Sequence, residues 1–203
     1  MNLNDQWERG LPLPPQYIGL ADRFFYYLSY RIGYYINWVG ISPNMITVFG
    51  LACQVGTAGC IMLDTKYFIV TSFLAALADT MDGFNARRFN KRSRYGALID
   101  HGADWIGAIA ILSAAIWRWH QYQCFYSFLT VMLYLEKKQI EYSGYVQQYQ
   151  GSSDIFASAI FQHSAGTHDR ICELLSEYKE YNSSSMSIIL VAVYWIMQTL
   201  TEM

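Results

Sequence analysis

The sequence has few of the residues that stabilise small secreted domains or bind zinc. Its 203 residues include four cysteines and four histidines, and no two cysteines form a CxxC pair. The cysteines lie mostly in apolar stretches, so we expect reduced, buried thiols. Neither a disulfide framework nor a zinc site is implied. These cysteines are Cys53, Cys60, Cys124 and Cys172.

Strong charge and targeting signals are also lacking. The formal net charge is −2, which indicates little about charged partners, and no nucleic-acid partner is expected. The first 15 residues are polar and contain no apolar run behind a basic start. We therefore expect no cleavable signal peptide. No internal repeat or low-complexity tract stands out.

Apolar and aromatic residues, in contrast, are abundant. Hydrophobic residues make up 53% of the chain and aromatic residues 17%, although the mean hydropathy is only +0.12. This mixture is typical of a small polytopic membrane protein with polar loops. The predicted fold is all-α, a membrane helical bundle of about 5–6 transmembrane helices with an N-terminal interfacial amphipathic helix.

Several segments are predicted to lie on or in the membrane. Residues 18–39 are rich in aromatic side chains and contain two arginines, which favours an interfacial amphipathic helix over a full span. Ser42 and Pro43 are typical of a helix start, and residues 44–63 carry no charge. Further spans are predicted at residues 67–87, 95–117 and 121–135.

We divide the chain into three regions. Residues 1–40 form the tail and interfacial helix, residues 41–138 a catalytic transmembrane core, and residues 139–203 a divergent or truncated C-terminal part with weak spans. In that last part, residues 155–161 are too few to span a membrane and residues 188–200 form a short apolar run. Residues 168–181 are predicted to form a soluble amphipathic helix.

Four aspartates recur at helical spacing within residues 79–104. Asp79 and Asp82 are i,i+3, and Asp100 and Asp104 are i,i+4, so each pair shares one helix face. A short basic turn separates the pairs. We therefore expect two antiparallel, adjacent helices whose acidic faces meet. By the positive-inside rule, the basic turn faces the cytosol.

Facing carboxylates at the edge of an apolar layer repel one another unless cations join them. An all-carboxylate set suits Mg²⁺ or Mn²⁺, and two such ions would form a clamp for phosphoryl transfer. Gly83 and Ala86 then mark places where a nucleotide approaches the backbone, and Arg87 is a phosphate contact. The alternative is a pair of polar membrane helices with another purpose, such as ion transport.

The spacing Asp-x2-Asp-Gly-x2-Ala-Arg-x8-Gly-x3-Asp-x3-Asp resembles the motif of the CDP-alcohol phosphotransferase family at each fixed position. These positions are Asp79, Asp82, Gly83, Ala86, Arg87, Gly96, Asp100 and Asp104. The triplet Asp100-His101-Gly102 is similar to the Asp-His-Gly of eukaryotic choline/ethanolamine phosphotransferases. The stretch from Ser42 to Thr47 resembles a Pro-Asn-x-x-Thr opening found in the family. The resemblance covers residues 34–151.

The resemblance implies transfer of a phosphoalcohol from CDP-ethanolamine or CDP-choline to diacylglycerol, with release of CMP. It assigns Asp79, Asp82, Asp100 and Asp104 to two divalent ions, and Gly83, Ala86 and Arg87 to the cytidine diphosphate. Asp79 also lies on the nucleotide side, and Gly96 admits close helix packing. Members act in membranes, which suggests the endoplasmic reticulum or Golgi, and a homodimer is an expected assembly.

Two candidates for the general base remain open. Asp104 is the base that the family resemblance implies, but a carboxylate on a cation is a poor base. His101 follows a predicted metal ligand and is the other candidate, with a hydrogen-bonding role as its alternative. Two alternative functions are a CDP-diacylglycerol-dependent phosphatidyltransferase and a non-catalytic, truncated membrane isoform.

Overall fold

The computed structural model describes residues 3–120 and 168–178, with isolated residues or pairs between 126 and 146 and between 192 and 199. The described secondary structure is helical, which confirms the predicted all-α class. The predicted segment 155–161 lies outside the described residues, as do most of 121–135 and 188–200. The helices are α1 (Leu3–Gly10), α2 (Leu20–Trp38), α3 (Pro43–Met62), α4 (Phe68–Arg88), α5 (Arg94–Trp119) and α6 (His168–Tyr178), with a 3₁₀ turn at Pro15–Tyr17.

Helix α2 has one buried face of mixed polar and aromatic residues, and other faces on which aromatic side chains are exposed. The buried face, which repeats every three to four residues, packs against α4. Its members are Asp22, Phe25, Tyr26, Ser29 and Gly33. Large apolar side chains on the other faces remain exposed, among them Phe24, Tyr27, Tyr34, Tyr35 and Trp38. This division agrees with the predicted interfacial amphipathic helix.

Helix α3 begins where the sequence predicts. The Ser42 hydroxyl accepts a hydrogen bond from the Met45 backbone N–H at 3.3 Å, and Pro43 occupies the first turn. Such a cap satisfies a backbone donor that the helix itself cannot pair. Among the described helices, α3 and residues 98–119 of α5 are long and apolar enough to cross a membrane. Helix α4 has comparable length but carries aspartates and arginines, and its span stays a prediction.

Helix α3 lies between the two helices that carry the aspartates. It runs antiparallel to α4, because Thr47 contacts Asp82 near one end and Thr57 contacts Thr71 near the other. It runs parallel to α5, because Arg118 at the end of α5 forms a 2.8 Å ion pair with Asp64, just after α3. Helices α4 and α5 are therefore antiparallel, as predicted.

The predicted adjacency of α4 and α5 along their length is wrong. Both helices pack extensively on α3 and make few direct contacts with each other. The physical reason is that small residues of α3 and α4 allow a close α3–α4 approach. A Cβ at Gly50 would lie 3.2 Å from the Cβ of Ala78. Among the described residues, Asp82 of α4 and Asp100 of α5 interact electrostatically.

The N-terminal residues and α6 pack together around Phe84 of α4. Phe84 has no solvent exposure, and it shares a cluster with Tyr26 and Leu175. Leu175 makes the apolar face of α6 part of the folded core, so the predicted amphipathic helix is present over the residues that the structure describes. The cluster joins the N-terminal residues and α6 to the segment that carries Asp79 and Asp82.

Candidate active site

Asp82 lies where α3, α4 and α5 meet. One carboxyl oxygen accepts a 2.5 Å hydrogen bond from the Thr47 hydroxyl, and the other accepts one from the Gly83 backbone N–H. The carboxyl group of Asp82 also interacts electrostatically with that of Asp100, on α5. Only 4% of Asp82 is exposed. Its carboxyl group is therefore held in a defined orientation toward α5.

The first turns of α5 carry a second group of ligand atoms. Asp100, His101 and Asp104 each offer one ligand atom, and these atoms all lie within 4.8 Å of one another. Asp100 is half-buried, whereas His101 and Asp104 are exposed. The Ser93 hydroxyl caps the helix by accepting from the Gly96 backbone N–H at 2.8 Å, which fixes the register of these side chains.

These residues fit divalent cations. Two partly or fully buried carboxyl groups that repel each other favour a shared proton or cation, and this condition applies to Asp82 and Asp100. Carboxylate oxygens are the preferred ligands of Mg²⁺ and Mn²⁺. Asp79 is half-buried and interacts electrostatically with Asp82. The donor set thus extends from α4 to α5.

Arg87 folds back along α4 toward the carboxylates. Its guanidinium nitrogens would lie 3.2 Å and 3.5 Å from a Cβ at Gly83, so the glycine leaves room for the arginine one turn later. Arg87 interacts electrostatically with Asp82 and Asp100. Ala86 is half-buried beside it. The predicted phosphate contact therefore lies next to the predicted metal ligands.

Gly96 is where the start of α3 approaches the start of α5. A Cβ there would lie 3.1 Å from Oδ1 of Asn44 and 2.8 Å from the capping hydroxyl of Ser93. A larger residue would push Asn44 or the cap away. The Pro-Asn-x-x-Thr stretch therefore contacts both aspartate-bearing helices, α5 through Asn44 and α4 through Thr47.

Two basic side chains of the α4–α5 turn bind α2. Arg88 donates to the Tyr30 carbonyl oxygen at 2.9 Å and lies over the Tyr30 ring. Lys91 donates to Oδ1 of Asn37 at 2.7 Å. These contacts give both side chains a structural role. The sequence suggests only that the basic turn sets the orientation of the chain in the membrane. Arg92 is exposed.

Sequence reasoning missed one residue that lies close to this site. Tyr26 of α2 interacts electrostatically with Arg87, and burial raises the pKa of Tyr26 to about 12. In the sequence, Tyr26 is one of several aromatic residues of a predicted interfacial helix. That prediction does not distinguish the buried Tyr26 from its exposed aromatic neighbours. The predicted site residues are otherwise brought together within α4 and α5.

Comparison with known proteins gives matches over the same region. The profile of the family described as CDP-alcohol phosphatidyltransferase matches residues 40–159, more than half of the chain. The chain is 30% identical over 122 residues to "Uncharacterized CDP-alcohol phosphatidyltransferase class-I family protein 2" of Dictyostelium discoideum, which covers 52% of this chain and 30% of that protein. It is 36% identical over 73 residues to an uncharacterised protein of Aquifex aeolicus (strain VF5), covering 34% of this chain and 37% of that protein.

The matched part of the chain thus spans about a third of the length of each relative, 37% and 30%. No solved structure matches the chain. The family match includes α3, α4 and α5, so it covers every predicted metal ligand.

Proposed function

The chain belongs to the CDP-alcohol phosphatidyltransferase family, and from this premise we propose that it transfers a phosphoalcohol from a CDP-alcohol to a lipid hydroxyl. Family members are phosphotransferases, and the two apolar helices together with the family make the chain an integral membrane protein. The proposed donor is CDP-ethanolamine or CDP-choline, the acceptor is diacylglycerol, and the nucleotide product is CMP.

One observation carries the proposal: α4 and α5 bring interacting carboxyl groups together at the ends that face a single basic turn. Asp82 on α4 interacts electrostatically with Asp100 on α5, and Asp104 extends the donor set from there, with His101 beside it. Asp79, Asp82, Asp100 and Asp104 would hold two Mg²⁺ or Mn²⁺ ions. When bound, these ions supply charge neutralisation of the diphosphate and of the leaving CMP.

The chain's own residues then orient the two substrates. Arg87, whose guanidinium covers Gly83, binds an oxygen of the diphosphate. The acceptor oxygen attacks the phosphorus that bears the alcohol headgroup and forms the new P–O bond. The bond between that phosphorus and the bridging oxygen breaks, and CMP leaves with the electron pair. The hydroxyl proton passes to a base on α5.

We assign the proton to His101 rather than to Asp104. Both side chains are exposed and close together, so either can reach an acceptor hydroxyl. A carboxylate that holds a cation has little basicity left, whereas a neutral imidazole is an effective general base near neutral pH. Asp104 then completes the cation site.

The test uses the purified full chain with Mg²⁺ or Mn²⁺ in mixed micelles. Labelled CDP-ethanolamine or CDP-choline with diacylglycerol is compared with CDP-diacylglycerol and inositol, and CMP release is measured. Release of CMP with the first pair only supports the proposal. Release with the second pair only would assign the chain to CDP-diacylglycerol-dependent transfer. A folded chain without either activity would favour the non-catalytic alternative.

The active site is proposed to face the cytosol, since the basic turn from Arg87 to Arg94 lies at the same end as the carboxylates. A water-soluble CDP-alcohol would reach the site from that side. The endoplasmic reticulum or Golgi membrane is the proposed location, and a homodimer the proposed assembly.

A further inference from the structure

The N-terminal segment reaches the side chain of Arg87. The Gly10 carbonyl oxygen, at the end of α1, accepts a 2.7 Å hydrogen bond from Nε of Arg87. The hydroxyl group of Tyr26, in α2, interacts electrostatically with the same guanidinium group. Two elements that precede the matched family region therefore determine where this arginine points.

The contact surface around Gly10 has no spare room. A Cβ at Gly10 would overlap the ring of Phe84, which is fully buried. Trp7 packs against the same ring at a centroid distance of 5.9 Å, and the Tyr26 ring packs on it at 6.0 Å. Glycine at this position lets the end of α1 lie directly on Phe84. That close approach places its carbonyl oxygen on Arg87.

Tyr26 packs in the cluster around Phe84 and also interacts with charged residues of the site. Only 6% of its surface is exposed, and its hydroxyl interacts electrostatically with Asp79 as well as with Arg87. A guanidinium that donates from Nε to a fixed carbonyl oxygen and interacts with a buried tyrosine hydroxyl has fewer accessible orientations. The remaining N–H groups are the ones left to bind an anion.

We propose that Tyr26 and the Gly10 carbonyl are positioning groups for Arg87, and that they set the affinity of the site for the diphosphate of the donor substrate. This inference rests on the proposed function. Tyr26 touches no reacting atom, and it acts through the arginine. A loosely held Arg87 would still carry its charge but would lose orientation entropy on binding the donor.

The experiment measures steady-state kinetics of the full chain with Tyr26→Phe, which keeps the ring on Phe84 and removes the hydroxyl. We expect KM for the CDP-alcohol to rise about 3- to 10-fold, the size of an ordinary polar contact, because the hydroxyl acts on donor binding only through Arg87. KM for diacylglycerol should stay unchanged. Tyr30→Phe is the matched control, because Tyr30 lies one turn later and contacts Arg88 instead.

A double-variant comparison separates positioning from packing. In an Arg87→Ala background, Tyr26→Phe should add no further change in donor KM, since its effect passes through the arginine. Gly10→Ala should raise donor KM in the same way as Tyr26→Phe, while Gly59→Ala, where a Cβ meets nothing within 4 Å, should not. Equal donor KM in Tyr26→Phe and Tyr30→Phe, or additive effects with Arg87→Ala, would overturn the inference.

Binding of CDP, measured by calorimetry in the presence of Mn²⁺, distinguishes this inference from the proposed function. If the wild type releases CMP while Tyr26→Phe and Tyr30→Phe bind CDP equally well, only the positioning role fails. If the wild type neither releases CMP nor binds CDP, the proposed function fails and the positioning role fails with it. Weaker CDP binding in Tyr26→Phe alone supports the positioning role even without turnover.

Discussion

At the scale of single residues, the Thr47–Asp82 hydrogen bond is the contact that links α3 to the chemistry. Thr47 donates to Asp82 at 2.5 Å and orients a carboxylate that also interacts electrostatically with Asp100. Groups that orient a metal ligand matter almost as much as the ligand itself. The sequence marked Thr47 through its Pro-Asn-x-x-Thr stretch but gave it no partner, because the contact joins residues 35 positions apart.

Thr47→Val should weaken metal use without altering the ligands. We expect the Mn²⁺ concentration for half-maximal CMP release to rise about 10- to 100-fold, since the valine leaves Asp82 without one of its donors. Thr57→Val is the control, because Thr57 forms a similar interhelical hydrogen bond, to Thr71 at 2.9 Å, near the other end of α3. An unchanged Mn²⁺ requirement in Thr47→Val would remove this role.

The two candidate bases differ in their expected response to metal. His101→Gln should lower kcat about 100-fold or more, within the usual range for loss of a general base, and leave the Mn²⁺ requirement unchanged. Asp104→Asn should raise that requirement, because it removes a ligand. CMP release measured across a Mn²⁺ titration separates the two. A raised Mn²⁺ requirement in His101→Gln would instead make His101 a ligand.

At the scale of elements, two serine caps begin the helices that hold the site. Ser42 starts α3 and Ser93 starts α5. The Ser42 start is predicted from the sequence and the Ser93 cap is not, although a cap depends only on neighbouring backbone groups. The packing of α3 between α4 and α5 was not readable, since the close contacts at Gly50 and Gly96 depend on which helices face each other.

Ser93→Ala should destabilise the start of α5, where Asp100 and Asp104 lie. We expect a loss of about 1 kcal/mol in the free energy of unfolding, the usual cost of removing a hydroxyl cap. Thermal unfolding of the purified protein in detergent measures the change. Ser113→Ala, late in the same helix and exposed, is the control. Equal stability of the two variants would show that the Ser93 cap contributes little.

At the scale of the whole molecule, opposite ends of the helices carry different polar groups. The acidic residues and the basic turn lie at one end, whereas the Asp64–Arg118 ion pair, at 2.8 Å, lies at the other. Hydrophobic composition was enough to predict helices and a membrane location. It did not predict that α1 and α6 would pack on Phe84, because that cluster joins residues far apart in sequence.

This polarity predicts which loops are accessible from each side of a membrane. In a cysteine-free background, Arg92→Cys should react with an impermeant maleimide only from the cytosolic side, and Lys66→Cys only from the opposite side. Both positions are exposed, and they flank α4. Labelling of both from the same side would show that α4 does not cross the membrane.

The central claim is that the acidic segments of α4 and α5 form one site for divalent cations, and Mn²⁺ binding tests it most directly. Binding to the purified chain is measured by the loss of the free Mn²⁺ signal in electron paramagnetic resonance. We predict that Mn²⁺ binds to the wild type and to Asp64→Asn, because the Asp64 carboxylate lies at the opposite end of the helices. Either Asp82→Asn or Asp100→Asn alone should weaken binding by about 10-fold or more. Equal Mn²⁺ binding by wild type, Asp82→Asn and Asp100→Asn would contradict it.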